Sequence, residues 1–409
     1  MTSIPMSDYY FRQYELDGVD FPAGRKGRIL SAICHGDNPT RKKIATDMAL
    51  RPATVSDLVL ELIRDGLVIE SRPTQALQKG RPEILLSPAS NRLCAVVFHA
   101  VSHTIHCAVV DFSGRIHFEA KEQVHADRID KHGFTDVIER LSAQSRPHIP
   151  KAAEHCGFAL SLPGIVDEPG KRWVYSAYWP KLPDFDLNIL SDILRSQVIV
   201  RKNLNCELRA RISRHARIRN KKTLLIHWGI GIGAAFASNG KELDFGDGFG
   251  EIGHCVLDPE STAHCKCGMI GCMEAEAGLW ALATQSENQP IPIDEHKFEE
   301  FLKMCSDKSF LKRPILLMAH TLRNLTLTLM PDEIVLTGPF VQSPDTFQLL
   351  LDEFEQILPE RSLVSKGRRP AVVSSRRSKS DEIIGAASDL FRPAIGLLCG
   401  NKSNQPHES

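Results

Sequence analysis

The sequence predicts an α/β chain in which a winged helix-turn-helix precedes a larger α/β domain. Three observations carry this reading. Between Gly24 and Gly66 apolar residues recur at helical spacing on a locally basic background. From Leu93 onward come apolar, strand-like runs bounded by turn residues. Between Glu251 and Glu274, Cys265, Cys267 and Cys272 fall close to His254 in a glycine-containing stretch.

The 409 residues suffice for two or three domains with real cores. They divide into a loose tail at 1–22, a DNA-binding module at 23–87, a larger domain at 88–395 and a polar tail at 396–409. A formal net charge of +0 excludes a generally basic coat, so contact with nucleic acid has to be local. Eleven cysteines, an odd number, and the absence of a signal peptide at Met1-Thr-Ser-Ile-Pro-Met-Ser-Asp8 lead us to expect a soluble protein of the reducing cytoplasm. The most apolar stretches, Leu93 to Phe112 and Thr223 to Ser238, are interrupted by histidines or glycines, so no membrane span is expected.

In chain order, Arg28 to Cys34 reads as an amphipathic helix stopped by Gly36-Asp-Asn-Pro39. Thr40 caps a second helix, Arg41 to Met48. After the tight turn Leu50-Arg-Pro-Ala53, a third helix spans Thr54 to Asp65, with Val55, Leu58, Val59 and Leu62 on its buried face and Gly66 as its stop. Leu67 to Glu70 and Glu83 to Leu86 read as two strands joined by a wing over Arg72 to Pro82. Residues 24–82 hold eleven Lys or Arg against six Asp or Glu, the charge excess expected where phosphates are gripped.

Helix, helix, turn, helix and wing is the order of a winged helix-turn-helix, a reader of double-stranded operator DNA. Its third helix would enter the major groove by its N-terminal turn, offering Arg51, Thr54, Ser56 and Asp57 to base edges. Asp57 suits that place only if it accepts from a cytosine amine. Arg41, Lys42 and Lys43 would hold phosphate, and Gln78-Lys-Gly-Arg-Pro82 would bring Lys79 and Arg81 to a minor groove or serve as an interdomain hinge.

The cysteine stretch has the chemistry of a structural zinc site. His254, Cys265, Cys267 and Cys272 supply one imidazole and three thiolates, a closed tetrahedral set with no open position for water, while Gly268 and Gly271 permit tight turns between ligands. Cys255 and His264 are alternative donors beside them.

Cys265-Lys-Cys-Gly-Met-Ile-Gly-Cys-Met-Glu274 and Glu251-Ile-Gly-His254 together resemble the signatures of the ROK family of repressors, open reading frames and sugar kinases. The resemblance implies an actin-like ATPase fold of the ribonuclease H-like, two-lobed kind for the larger domain. It also implies that Glu251, His254 and Glu274 face a sugar, and that the helix-wing module ending in Gly80-Arg-Pro82 is that of the family's repressors.

The same resemblance points to lost catalytic parts. The family's first phosphate loop would fall on His99-Ala-Val-Ser-His-Thr104, which has neither its glycines nor its metal-holding Asp. Val200-Arg-Lys-Asn-Leu-Asn-Cys206 aligns with the segment carrying the general base, where Asn203 now stands, or Leu204 if the register slips by one; an amide cannot take up a proton at physiological pH. Lys202 occupies the family's sugar-facing Asn position, to pair with an anionic ligand group or to face solvent. Phe158 to Asp167 resembles the family's strand and Pro-Gly-x-Val-Asp loop, and Trp179-Pro-Lys-Leu182 is expected to cover the cleft. Ile226 to Gly233 resembles its second phosphate loop, Asp332 to Phe340 the strand before an adenosine site, and Gly385-Ala-Ala387 the start of the final helix.

These features lead us to expect a regulator rather than an enzyme, with no catalytic residue. A sugar or sugar derivative bound in the larger domain would set operator affinity, and two half-sites imply a homodimer or homotetramer. The alternatives are a working ATP-dependent sugar kinase with an appended DNA-binding domain and a regulator answering to a protein partner.

Overall fold

The computed structural model describes residues 24–35, 39–71, 84–89, 91–214, 218, 220–243, 246, 248–285, 290–358, 369–376 and 378–399. The expected N-terminal tail, the wing segment Arg72 to Pro82 with Lys79 and Arg81, and the end from Asn401 to Ser409 lie outside them.

Three helices open the chain: α1 (Gly24–His35), α2 (Arg41–Asp47) and α3 (Pro52–Arg64). The Thr40 hydroxyl accepts from the Lys43 N–H at 3.2 Å and so caps α2, as its sequence predicts. Pro52 begins α3, slightly ahead of the expected Thr54, because its fixed φ suits the first helical position and its missing N–H costs nothing there. Gly66, at φ +73°, turns the chain out of the helix. Val55, Val59 and Leu62 pack against Ile29, Leu30 and Ile33 of α1 and Ile44 of α2. β1 (Val68–Ser71) then pairs antiparallel with β2 (Leu85–Pro88), and Thr40 bridges to Leu85 on the far side of β2.

The rest forms two lobes. The first contains β3 (Leu93–Val101), β4 (Thr104–Asp111), β5 (Ile116–Gln123), α4 (Lys131–Ser145), β6 (Glu154–Leu162), β7 (Ile165–Asp167), β8 (Arg172–Tyr175), β9 (Phe185–Asp186), α5 (Ile189–Leu194), β10 (Val198–Lys202) and α6 (Asn203–Arg214). The second contains β11 (Lys222–Trp228), β12 (Ile232–Ser238), β13 (Lys241–Glu242), α7 (Glu274–Ala277), α8 (Leu279–Gln285), α9 (Glu295–Met304), α10 (Lys312–Leu329), β14 (Glu333–Thr337), α11 (Pro344–Ile357) and β15 (Ala371–Ser374). The final helix, α12 (Lys379–Cys399), returns to the first lobe.

The two central sheets repeat one topology. In the order β10-β6-β3-β4-β5, a meander of three antiparallel strands is extended by two parallel ones; β15-β14-β11-β12-β13 does the same. This is the two-lobed arrangement expected of the actin-like fold. Open sheets of this kind bind ligands beyond the carboxyl ends of their parallel strands, and here β6, β10, β11 and β14 all end at the interlobe cleft.

α12 spans the molecule from that cleft to the DNA-binding module. Glu382 near its start accepts from Ser161 Oγ at 2.7 Å, and Ile395 and Cys399 near its end share one apolar core with Ile29 and Leu30 of α1. Two expectations are corrected here. The helix starts at Lys379, not at Gly385; that glycine marks where α12 crosses α6, since a Cβ there would lie 2.0 Å from the Cys206 carbonyl oxygen. The tail expected from residue 396 is still helix as far as Cys399, whose burial against α1 holds it in place. Among the described residues no helix is long and apolar enough to cross a membrane.

Candidate functional site

The loop after β13 folds back on itself through isolated bridges between Val256 and Cys272 and between His264 and Ile270. Gly268 and Gly271, at φ +90° and +81°, make the turns. The fold brings one donor atom each of His254, Cys265, Cys267 and Cys272 within 4.8 Å of one another. His254 Nδ1 lies 3.6 Å from Cys265 Sγ, and Cys267 Sγ lies 3.6 Å from Cys272 Sγ. Zn–S bonds of about 2.3 Å in a tetrahedron place sulfurs about 3.8 Å apart, so the donor set fits that ion. Cys255 is exposed, and neither it nor His264 belongs to the group. Burial pushes the Cys265 thiol up to about 11, so loading a metal here would release protons.

The same loop fixes the cleft wall. Arg313 clamps it from α10, with bonds of 2.6 Å to Asp258 and 2.8 Å to Glu276. Lys266 stands between the rings of Tyr178 and Trp280, its Nζ 4.8 and 4.9 Å from their centroids. Glu274 follows Cys272 directly into α7. Its Oε2 accepts from the Ile232 N–H at 2.8 Å and its Oε1 from Trp280 Nε1 at 3.2 Å. Burial pushes this carboxyl up, and the Ile232 N–H and His254 offset only part of that.

Lys202, Asn203, Glu251, His254 and Glu274 all line the cleft between the lobes, which is open to solvent. Lys202 does neither of the things its sequence position suggested. It is buried, and its Nζ donates to Glu251 Oε1 and to the Phe249 carbonyl, both at 2.6 Å. The reason is local: β10 ends there, and the chain around Glu251 closes over it. Asn203 opens α6, its Oδ1 accepting from the Leu204 N–H at 2.8 Å, while the Leu204 side chain is buried behind it.

A further correction concerns the cover. Trp179 is 1% exposed and packs edge-to-face on Phe134 within the first lobe's core. Tyr178, one residue earlier, faces the cleft instead and donates to the Ile230 carbonyl of the second lobe at 3.0 Å. Nothing in the sequence distinguished it from its neighbour. At His99 to Thr104 the chain makes a hairpin in which Val101 pairs with Thr104 across Ser102 and His103, a turn with neither glycine nor carboxylate. The glycine run after β11 forms a tight connection to β12, and Glu295 of α9 sits on it, accepting from the Ile230 N–H at 3.0 Å.

On the DNA-binding module, Lys42, Lys43, Arg51 and Asp57 are exposed and Thr54 and Ser56 half-buried around the start of α3. Arg41, half-buried beside them, forms an ion pair with Glu70 of β1 and so ties α2 to the wing strand.

A glucokinase from Halalkalibacterium halodurans is 27% identical over 231 residues, covering 52% of this chain and 70% of the enzyme. A xylose repressor from Caldicellulosiruptor bescii is 23% identical over 371 residues, covering 83% of this chain and 88% of the repressor. The crystal structure of a ROK family transcriptional regulator, a homolog of the E. coli MLC protein, superimposes with a TM-score of 0.71 at 20% identity, covering 92% of this chain and 98% of that one, and so shares its fold. The ROK family model matches residues 101–391, most of the chain and all of both lobes' central strands from β4 onward; the protein belongs to the ROK family.

Proposed function

We propose that this protein is a transcriptional regulator of carbohydrate metabolism: it binds operator DNA through residues 23–87, and a sugar or sugar derivative in the cleft of residues 88–395 sets its affinity without phosphoryl transfer. One observation carries the reading. Asn203, where the family resemblance puts the acceptor of a sugar hydroxyl's proton, lines the cleft as an amide whose oxygen is already engaged by the Leu204 N–H. A hydroxylated ligand can still be held by Glu251, His254 and Glu274, and binding without turnover is what a sensor needs.

In this reading His254, Cys265, Cys267 and Cys272 hold a structural Zn²⁺, which would fix the wall carrying Glu274. Arg51, Thr54, Ser56 and Asp57 meet base edges, Arg41, Lys42 and Lys43 meet the phosphate backbone, and Lys79 and Arg81 reach a minor groove. The protein acts in the cytoplasm as a homodimer or homotetramer, and the effector shifts the population between two spacings of the DNA-binding modules. A repressor, released by its ligand, is the form its repressor relatives suggest.

Mobility-shift assays with host genomic fragments, repeated with a panel of pentoses, hexoses and amino sugars, test this directly. Specific retardation relieved by one sugar is expected. Sustained ATP-dependent phosphorylation of any sugar in a coupled assay overturns the reading.

A further inference from the structure

In the tight connection Gly229-Ile-Gly231 between β11 and β12 the Gly229 N–H donates to the Gly231 carbonyl at 3.1 Å, while the Ile230 N–H points to a side chain of the second lobe. That side chain is a carboxylate. Glu295 Oε1 accepts from the Ile230 N–H at 3.0 Å and lies 3.0 Å from His227 Nε2. A carboxylate only accepts, so that imidazole nitrogen carries the proton between them. The opposite ring nitrogen of His227 is held 3.2 Å from Thr337 Oγ1, which fixes the ring plane.

The fit is built from both sides. A Cβ at position 229 would lie 2.1 Å from Glu295 Oε1 and 2.5 Å from His227 Nε2, so only glycine there admits the carboxylate. Glu295 does not hang from a loose loop. It is the first residue of α9, whose start is capped by Asp294 accepting from the Lys297 N–H at 2.9 Å and anchored by the fully buried Phe298. The rest of the cleft repeats the same charge. Glu251, Glu274 and Glu295 line it against one lysine, Lys202, which already bonds Glu251 and the Phe249 carbonyl.

We propose that Glu295, a carboxylate held on the Ile230 N–H among the cleft's other carboxylates, keeps phosphorylated ligands out of the cleft. The effector class is therefore a hydroxylated ligand that carries no phosphate. This rests on the reading of the cleft as a ligand site, but its test does not need the ligand's identity. A phosphate brought to the turn must displace Glu295 or share a desolvated seat with it, and like charges in such a place oppose each other strongly.

The experiment is calorimetric titration of the full-length protein with inorganic tripolyphosphate at low ionic strength, comparing wild type, E295Q and E295A. Wild type is expected to bind weakly or not at all. E295Q keeps the shape and the oxygen that accepts from Ile230 but loses the charge, and E295A empties the seat. Binding should tighten in that order, with E295A at least roughly tenfold tighter than wild type, a difference of about 1.4 kcal/mol. Circular dichroism establishes that each variant is folded; should E295A fail to fold, the near-isosteric E295Q carries the comparison, with severalfold tighter binding expected. Equal affinity across wild type and the folded variants, whether strong or absent, overturns the proposal. Operator retardation by wild type is measured separately, so a failed tripolyphosphate result leaves the regulator reading standing and the reverse is equally distinguishable.

Discussion

Replacing Asp389 by Asn should loosen the joint between the first lobe and α12. Asp389 Oδ2 accepts from Arg201 Nε at 2.9 Å and Nη2 at 2.7 Å, and from Arg209 Nη1 at 2.6 Å. The three side chains are only 14–21% exposed, so water screens them little. Burial alone would push the Asp389 carboxyl up, but Arg209 and Arg201 outweigh it and hold the group well below the usual carboxylate range. Removing one partner of a buried pair typically costs about 3–5 kcal/mol. Here Arg201 retains Glu168 at 3.3 Å and Arg209 retains Glu242 at 2.8 Å, so neither is left alone. The loss should fall at or just below the lower end, about 2–3 kcal/mol. Urea denaturation at neutral pH reads it. The sign with pH follows: a carboxyl depressed in the folded state stabilises above its unfolded pKa of about 3.9 and loses that contribution as pH falls through and below it. The gap between wild type and D389N should therefore be full at pH 7 and shrink below about pH 4. A D389N variant within about 0.5 kcal/mol of wild type at pH 7, or a gap independent of pH, would refute the reasoning.

Cys267→Ser should abolish metal binding, whereas Cys255→Ser should leave about one zinc per chain; metal analysis of the purified variants decides the ligand set. Arg51→Ala should cost about 1–3 kcal/mol on the preferred operator and relax base choice, while Lys42→Ala should weaken all sequences alike and lower the slope of log affinity against log salt by about 1. Footprinting across salt concentrations in which the two variants behave identically would reject this docking. Asn203→Asp should not restore phosphoryl transfer, because the Ser102-His103 turn still lacks a carboxylate and Glu295 still occupies the glycine turn. ATP-dependent product from that variant, detected by mass spectrometry, would show that a single proton acceptor was all the cleft lacked.

What could be read from the sequence was local. The four candidate metal donors fall within one loop, so their chemistry and spacing carry the information without knowledge of the fold. Val55, Val59 and Leu62 announce α3 because a helix imposes its own period, and Thr40 announces a cap because its partner lies three residues away. The missing information was long-range. Glu295 reaches Ile230 across 65 positions and Lys202 reaches Glu251 across 49, and neither pair is marked by any short motif. The sequence therefore offers ligand or solvent for Lys202 and gives no sign of its protein partners, Glu251 and the Phe249 carbonyl. Tyr178 and Trp179 are adjacent aromatics, and which one enters the core depends on how the segment after β8 crosses Phe134. Gly385-Ala-Ala387 resembles a helix start only through the family pattern; the role of Gly385 here, close approach to Cys206, exists only once α6 is in place.

A cleft that binds without turnover can control DNA only if its walls are mechanically joined to the recognition helix, and the packing provides such a joint. Glu168 accepts from the Lys202 N–H at 2.9 Å and pairs with Arg201, so the cleft end of β10 is held to the carboxylate network around Asp389. From Asp389 the helix continues through Pro393, which has no N–H to give the Asp389 carbonyl and so weakens α12 at that turn. Beyond the proline, Ile395 and Cys399 pack with Ile29 and Leu30 of α1, which in turn supports Val55, Val59 and Leu62 of α3. The DNA-binding module therefore does not swing freely on a linker: it shares its core with the last turns of α12. Displacement of β10 by a ligand that draws Lys202 or Glu251 inward would act on α12 on the cleft side of its weakest turn, and α3 would move with whatever passes that point.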